Sequence, residues 1–190
     1  MTLLEKAILF AVKAHEGMIR KDGTPYILHP LEASAICATL TRDPQILAAS
    51  VLHDTVEDTD VTPEEILACF GERVAELVAS ETEDFFPDLS PEDSWESRKE
   101  QSLKILAETD DPGIKILWLG DKLSNLRSFY RQWQIEGNQM LQRFHQKDSA
   151  RQARYYRSIA KALSGLKDSA AWQEYHFLVE TIFEGVKSDE

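Results

Sequence analysis

Between Ala48 and Thr59 the chain reads AASVLHDTVEDT, an apolar helical segment with His53 and Asp54 set into its middle and Glu57 and Asp58 one turn later. At about 100° per residue, His53 lies above Glu57 and Asp54 above Asp58. The spacing predicts one helix from Pro44 to about Asp58, with the four polar side chains in one sector and Ala48, Leu52 and Val56 opposite. An imidazole and three carboxylates on a face turned toward a core are costly to desolvate, unless a cation or a substrate proton neutralises part of the charge. A divalent metal meets that demand. A lone His-Asp pair, by contrast, is ordinarily a capped or hydrogen-bonded structural pair, and two ligands do not close a metal shell. The metal reading therefore requires further His or Asp residues elsewhere in the chain.

Three other segments supply them. Leu3, Leu4, Ala7, Phe10, Ala11 and Ala14 predict an amphipathic helix over residues 2–17 ending near Gly17, with His15 at its end, where a bond to backbone is the ordinary role of a histidine. The following Gly23, Thr24 and Pro25 mark a loop. It carries Arg20 and Lys21, which are either solvated surface or cations for an anionic ligand. His29 precedes Pro30, which suits the first position of a helix through Leu31, Ile36 and Leu40, so His29 is expected to be held extended at a helix start, as a cap or as a ligand. A helix from Ile114 to Phe129 is apolar on most of its circumference and places Asp121 one turn before Asn125. Asp121 is either a salt-bridged core residue or, with His29, His53 and Asp54, a fourth ligand.

The remaining chain reads as connecting and supporting helix. Thr62 to Glu65 has capping-box spacing and opens an apolar face (Ile66, Leu67, Phe70, Val74, Leu77, Val78) that Gly71 divides into two short helices. Residues 81–97 form a long acidic loop, either a lid or a plain connection, before a helix from about Ser97 to Glu108. Arg143, Arg151, Arg154, Tyr155, Tyr156 and Arg157 mark helical sequence beyond Tyr130. Trp172, Tyr175, Phe177, Leu178, Thr181 and Ile182 give a closing apolar helix. With no strand alternation, no repeat and no glycine-rich phosphate loop, the fold class is all-α.

A chain of 190 residues with 43% hydrophobic and 28% charged residues suits one soluble domain, taken as 1–190. The net charge of −12 argues against a nucleic-acid polymer, which needs many Lys and Arg contacts to phosphate. A small phosphorylated ligand remains open if cations gather locally. Cys37 and Cys69 stand alone within apolar patterns and read as reduced core residues. Glu5, Lys6 and Lys13 interrupt the apolar N-terminal run, so no signal peptide or membrane span is expected and the location is expected to be cytoplasmic.

Taken together, residues 14–30 (AHEGMIRKDGTPYILHP), 52–59 (LHDTVEDT), 70–75 (FGERVA) and 120–127 (GDKLSNLR) occur in the order and at the separations of a known family. The chain resembles the HD-domain phosphohydrolases, and among them the hydrolase domain of the RelA/SpoT family and the small alarmone hydrolases. The resemblance covers about residues 4–130 and leaves the helical C-terminal part unmatched. It implies a compact multi-helix HD-domain fold that binds one divalent cation, usually manganese, through His29, His53, Asp54 and Asp121. It further implies hydrolysis of guanosine tetraphosphate and pentaphosphate with release of the 3′ pyrophosphate. Glu57 and Asp58 would serve the catalytic step, and Arg20, Lys21 and Asn125 the nucleotide. Another nucleotide such as NADPH, or nucleotide binding without turnover, are the alternative readings. The sequence departs from the family at four places: Gly120 stands for the common Ala, Met18 for Gln, Ser124 for His or Tyr, and Glu81-Thr82-Glu83 for a Val-Thr stretch.

Overall fold

A computed structural model describes residues 1–83, 88, 90, 93–143 and 146–186, the side chains of 138, 142 and 143 excepted. These residues are mostly helical, and among them the sole β pairing is an isolated bridge between Ile19 and Pro25. The all-α expectation holds. The chain packs as two compact units, residues 1–82 with 110–124 and residues 83–109 with 125–190.

In the first unit, α1 (Leu3–Ala14), α2 (Leu28–Leu40) and α3 (Pro44–Leu52) are followed by α4 (Thr55–Asp58), α5 (Pro63–Phe70) and α6 (Glu72–Ala79). Local chemistry sets the ends. Thr2 and Thr62 each form a capping box with the Glu three residues on, Asp43 caps α3 ahead of Pro44, and Gly71 takes a positive φ of 87° where α5 turns into α6. The central element is α3, which packs on α1, α2 and α6. Its Ala48, Ala49, Ser50, Val51 and Leu52 are all wholly buried, so no polar face of α3 reaches solvent there. Leu67, expected on the apolar face, is half exposed, and Cys69 two residues on is exposed as well, whereas Cys37 is buried as expected; both thiols are free.

The helix expected over 44–58 is interrupted. α3 stops at Leu52 and α4 starts at Thr55, because carbonyls that would continue the ladder are taken by side chains: Ser50 O accepts from His53 Nδ1 at 2.9 Å and Leu52 O from Thr55 Oγ at 2.6 Å. His53 is therefore buried while Glu57 is exposed, and the single four-residue polar sector does not form. His29 also departs from expectation. It is helical, the second residue of α2, since the turn over 25–28 winds straight into the helix and the missing N–H of Pro30 falls among first-turn groups that have no intrahelical acceptor.

α8 (Pro112–Glu136) begins with Asp111, whose carboxylate accepts from Gly113 N–H at 2.8 Å and pairs with Arg73 through two bonds of 2.6 and 2.8 Å. It runs close against α2. A Cβ on Gly120 would collide with Cys37 Sγ and lie 2.9 Å from the Ala33 carbonyl oxygen. The departure from Ala at this position thus has a packing cause, and it fixes the distance between the turn that carries Asp121 and the helix that carries His29.

In the second unit, α7 (Trp95–Glu108) starts two residues before the expected Ser97; α8 from Asn125, a 3₁₀ segment (Gly137–Arg143), α9 (Ser149–Ala162) and α10 (Ala170–Ile182) complete it. Its core is aromatic. Trp95 meets Tyr155 edge-on at 5.8 Å, Tyr156 contacts both Phe129 and Phe183, and Tyr175 O–H donates to the Tyr156 carbonyl at 3.0 Å. Phe177 is exposed, so the closing apolar face runs through Tyr175, Leu178 and Ile182 instead. Of the acidic loop, 84–87, 89, 91 and 92 lie outside the described residues, as does the side chain of Arg143.

Restoring the methyl group at Gly120 tests the close approach. Gly120→Ala is expected to lower unfolding stability by about 1–3 kcal/mol in a urea titration. Adding Cys37→Ala should recover part of the loss, because it removes the sulfur but leaves the Ala33 carbonyl. A Gly120→Ala protein as stable as the parent would refute the packing argument.

Candidate metal centre

Four side chains from three elements converge in the first unit. His29 comes from the first turn of α2, His53 and Asp54 from the interruption between α3 and α4, and Asp121 from the middle of α8. His29 Nε2 and His53 Nε2 are 3.2 Å apart. Asp121 Oδ1 lies 3.1 and 3.5 Å from them, and Asp54 Oδ2 lies 3.3 and 3.2 Å from the same two nitrogens. Donors of His29, His53 and Asp121 all lie within 4.8 Å of one another, and all three residues are buried. Asp54 joins them through the two imidazoles.

The outer contacts decide which lone pairs face inward. The Ser50 carbonyl can only accept, so His53 Nδ1 carries a proton and donates to it. Ser124 Oγ donates to Glu32 Oε2 at 2.8 Å, which leaves its oxygen to accept from His29 Nδ1 at 2.9 Å. In its neutral form each imidazole therefore presents its Nε2 lone pair to the other ring and to two carboxylate oxygens. That is repulsive without a cation. Burial opposes charge on His53, yet the carboxylates of Asp54 and Asp121 hold its pKa well above the ordinary imidazole value. Burial likewise works against the charge of Asp121, but the Lys122 ammonium and the two histidines hold its carboxyl well below the usual range, and His53 does the same for Asp54.

The donor set fits a divalent ion. Nitrogen and oxygen ligands about 2.0–2.2 Å from a common ion sit roughly 3.0–3.5 Å from one another, the range spanned here, and the mix of imidazole and carboxylate suits a borderline to hard cation. Second contacts to Ser50, Ser124 and Glu32 are of the kind that orient metal-bound histidine.

A hydrogen-bonded tyrosine and second carboxylate adjoin this set. Tyr26 O–H donates to Asp54 Oδ2 at 2.7 Å and also contacts Asp58 Oδ2. One phenolic proton serves only one of two carboxylates, so the second contact favours a proton on Asp58. Burial of its carboxyl end and the Asp54 charge push the Asp58 pKa up in agreement. Glu57 is exposed and lines, with Asp58, Asp60, Glu65 and Met18, an open groove of about 600 Å³. Arg20 and Lys21 lie on a tight loop closed by Arg20 N–H to Thr24 O at 2.8 Å and Tyr26 N–H to Met18 O at 2.9 Å. Met18 and Tyr26, which begin and end that loop, touch the groove and the Asp54–Asp58 pair respectively. Asn125 stands one helical turn beyond Asp121, at the start of the second unit's part of α8.

His15 is buried, and its ring makes no bond to backbone: it stacks on Tyr26 at 4.8 Å, and both ring nitrogens lack a hydrogen-bond partner. Its backbone N–H makes the last α-helical bond of α1, to the Ala11 carbonyl, before Gly17 turns the chain at a positive φ of 76°. Sequence reasoning missed Tyr26, Glu32, Ser124 and Lys122 as neighbours of the centre. Three of them were within reach, since Tyr26 and Glu32 lie three residues to either side of His29 and Lys122 is next to Asp121.

An all-helical chain with a His, a His-Asp pair and a distant Asp brought to one point defines a class, and comparison with known proteins agrees with it. The family described as HD domain matches residues 7–147, and the chain belongs to that family. It is 40% identical over 127 residues to a guanosine-3′,5′-bis(diphosphate) 3′-pyrophosphohydrolase of Aquifex aeolicus, covering 67% of this chain and 18% of that protein. It is 34% identical over 130 residues to a GTP pyrophosphokinase of Myxococcus xanthus, covering 67% and 17%. The chain thus spans less than a fifth of the length of these relatives. A solved structure of a metazoan ortholog of SpoT, described as hydrolysing ppGpp, superposes with a TM-score of 0.76 at 24% identity over 98% of each chain. A Listeria monocytogenes EGD-e protein superposes at 0.71 with 32% identity, over 82% of this chain and 99% of that one. Among the described residues no helix is long and apolar enough to cross a membrane.

Ser124 gives the test of the inward-facing lone pairs. Ser124→Ala leaves His29 Nδ1 buried without its acceptor, and Mn²⁺ affinity, read by competition with a chelating dye, is expected to fall about 10–100-fold. An unchanged affinity would mean that the tautomer of His29 is held in some other way.

Proposed function

We propose that the chain hydrolyses the 3′ pyrophosphate of guanosine tetraphosphate and pentaphosphate in the cytoplasm, residues 1–190 acting as one hydrolase domain. His29, His53, Asp54 and Asp121 would hold a divalent ion, Mn²⁺ in the first instance. The observation that carries this reading is the convergence of four inward-facing donors with Asp58 joined to them through Tyr26. Similarity to the Aquifex pyrophosphohydrolase over two thirds of this chain supports the choice of substrate.

When bound, the ion supplies Lewis-acid polarisation of a phosphate oxygen and lowers the pKa of water. The chain's own residues do the rest. Asp54 and Asp121 fix the charge at the centre, and His29 and His53 keep their protons on Nδ1 and out of it. Asp58 shares the Tyr26 hydroxyl with Asp54 and is placed to hold or move a proton, while Glu57, open to the groove, accepts or orients water on the solvent side. Arg20 and Lys21, on the loop that begins at the groove and ends at Tyr26, offer cations for phosphate, and Asn125 offers an amide for the nucleoside.

Purified protein loaded with Mn²⁺ is expected to release pyrophosphate from guanosine tetraphosphate, and EDTA should abolish the release. Asp121→Asn should lose both metal and turnover. Glu57→Gln should keep its metal by elemental analysis while kcat falls by about 10²-fold. A fully metallated sample that leaves the alarmone intact would sink the substrate assignment. Turnover of NADPH or another nucleotide in the same panel would replace it, and tight alarmone binding without product over hours would make the domain a binding module.

A further inference from the structure

Behind Asp121 lies a second charged group that the proposed reaction does not use. Lys122 Nζ contacts Asp121 Oδ2 and lies 3.3 Å from Glu81 Oε2 and 4.6 Å from the centre of the Trp118 ring face. All of this is interior: the side chains of Glu81 and Lys122 are 2% and 13% exposed. Trp118 is buried too, and its Nε1–H reaches the Ser80 carbonyl at 3.4 Å. Glu81 Oε1 has no hydrogen-bond partner, so the acid is kept in the core for its contact with Lys122 and little else. Burial pushes the Glu81 carboxyl up to about 8 against the pull of the Lys122 ammonium.

The consequence for Asp121 is geometric. An aspartate offers two oxygens, and one left free to rotate can turn either or both toward a cation. Here Oδ2 is taken by Lys122 while Oδ1 faces His29 and His53. We propose that Lys122, anchored by Glu81 and the Trp118 face, is a positioning residue that confines Asp121 to single-oxygen ligation of the metal. The ammonium also offsets one of the negative charges gathered around the two imidazoles. This inference rests on the reading of Asp121 as a ligand.

The test measures Mn²⁺ affinity by dye competition alongside the unfolding midpoint of the metal-free protein. Lys122→Met removes the clamp but strands Glu81, so the double variant Lys122→Met with Glu81→Gln is made beside it to remove the uncompensated buried acid. The double variant is expected to regain metal-free stability over Lys122→Met, yet to bind Mn²⁺ about 10–100-fold more weakly than the parent. Lys122→Arg, which keeps a cation on a long stem, should recover much of that affinity. A folded double variant with parental affinity overturns the proposal. So does a Lys122→Arg protein that binds no better than Lys122→Met. Asp121→Asn is the control for the underlying reading. If it loses metal while the double variant keeps it, only the role of Lys122 falls. If Asp121→Asn itself binds like the parent, Asp121 is not a ligand.

Discussion

Two imidazole lone pairs aimed at one point inside a helical core are the constraint on which the first unit depends. Each is fixed by an acceptor that cannot exchange roles: a backbone carbonyl at His53, and a serine already committed to Glu32 at His29. With Asp54 and Asp121 completing the set, the interior carries a concentration of negative charge and lone pairs that apolar packing alone does not offset. A cation relieves it, and in its place a proton held on His53 does so in part. The same groups therefore explain the perturbed acidities and the fit to a metal, and neither needs a separate cause.

Bringing these donors together requires helices that approach closely and one helix that stops. The approach is made by small residues: Ala33 and Cys37 on α2, Gly120 on α8, and Ala48, Ala49 and Ser50 on α3. The stop is made by His53 and Thr55, whose side chains take the carbonyls that a continuous α3 would have used. His53 thus performs two tasks with one ring. Its Nδ1 helps to end the helix, and the same bond turns Nε2 toward His29. A mutation chosen to straighten this helix would also release the tautomer.

These devices differ in how plainly the sequence displays them. The convergence of His29, His53, Asp54 and Asp121 was foreshadowed by polar residues set in apolar helical contexts, each of which also had an ordinary structural reading. Helix ends at Thr62 and Gly71 were legible because caps and turn-making glycines act within a few residues. What escaped was whatever depended on distant partners. The break at His53 and Asp54 hides inside good helical periodicity, since the side chains that cause it are themselves at helix-compatible positions. The helical state of His29 runs against the usual effect of a following proline, and only the turn wound from Pro25 reveals why. Tyr26, Ser124 and the Glu81–Lys122 pair matter through contacts up to 95 residues apart in sequence, which no local pattern encodes.

Charge also bears on what such a centre can accept. The groove beside it is lined by Glu57, Asp58, Asp60 and Glu65 on a chain of net charge −12, an unfavourable setting for a polyanion in the absence of local cations. A nucleotide bearing several phosphates can bind there only if positive charge is concentrated where the phosphates lie. The candidates are a cation at the His-Asp set and the Arg20–Lys21 loop, whose two ends are pinned at the groove and at the Asp54–Asp58 pair. The acidic wall then selects against anions that cannot reach both cations at once. On this argument the groove's carboxylates set a lower limit on the charge of a ligand, because a weakly charged one gains too little from the cations to offset the wall.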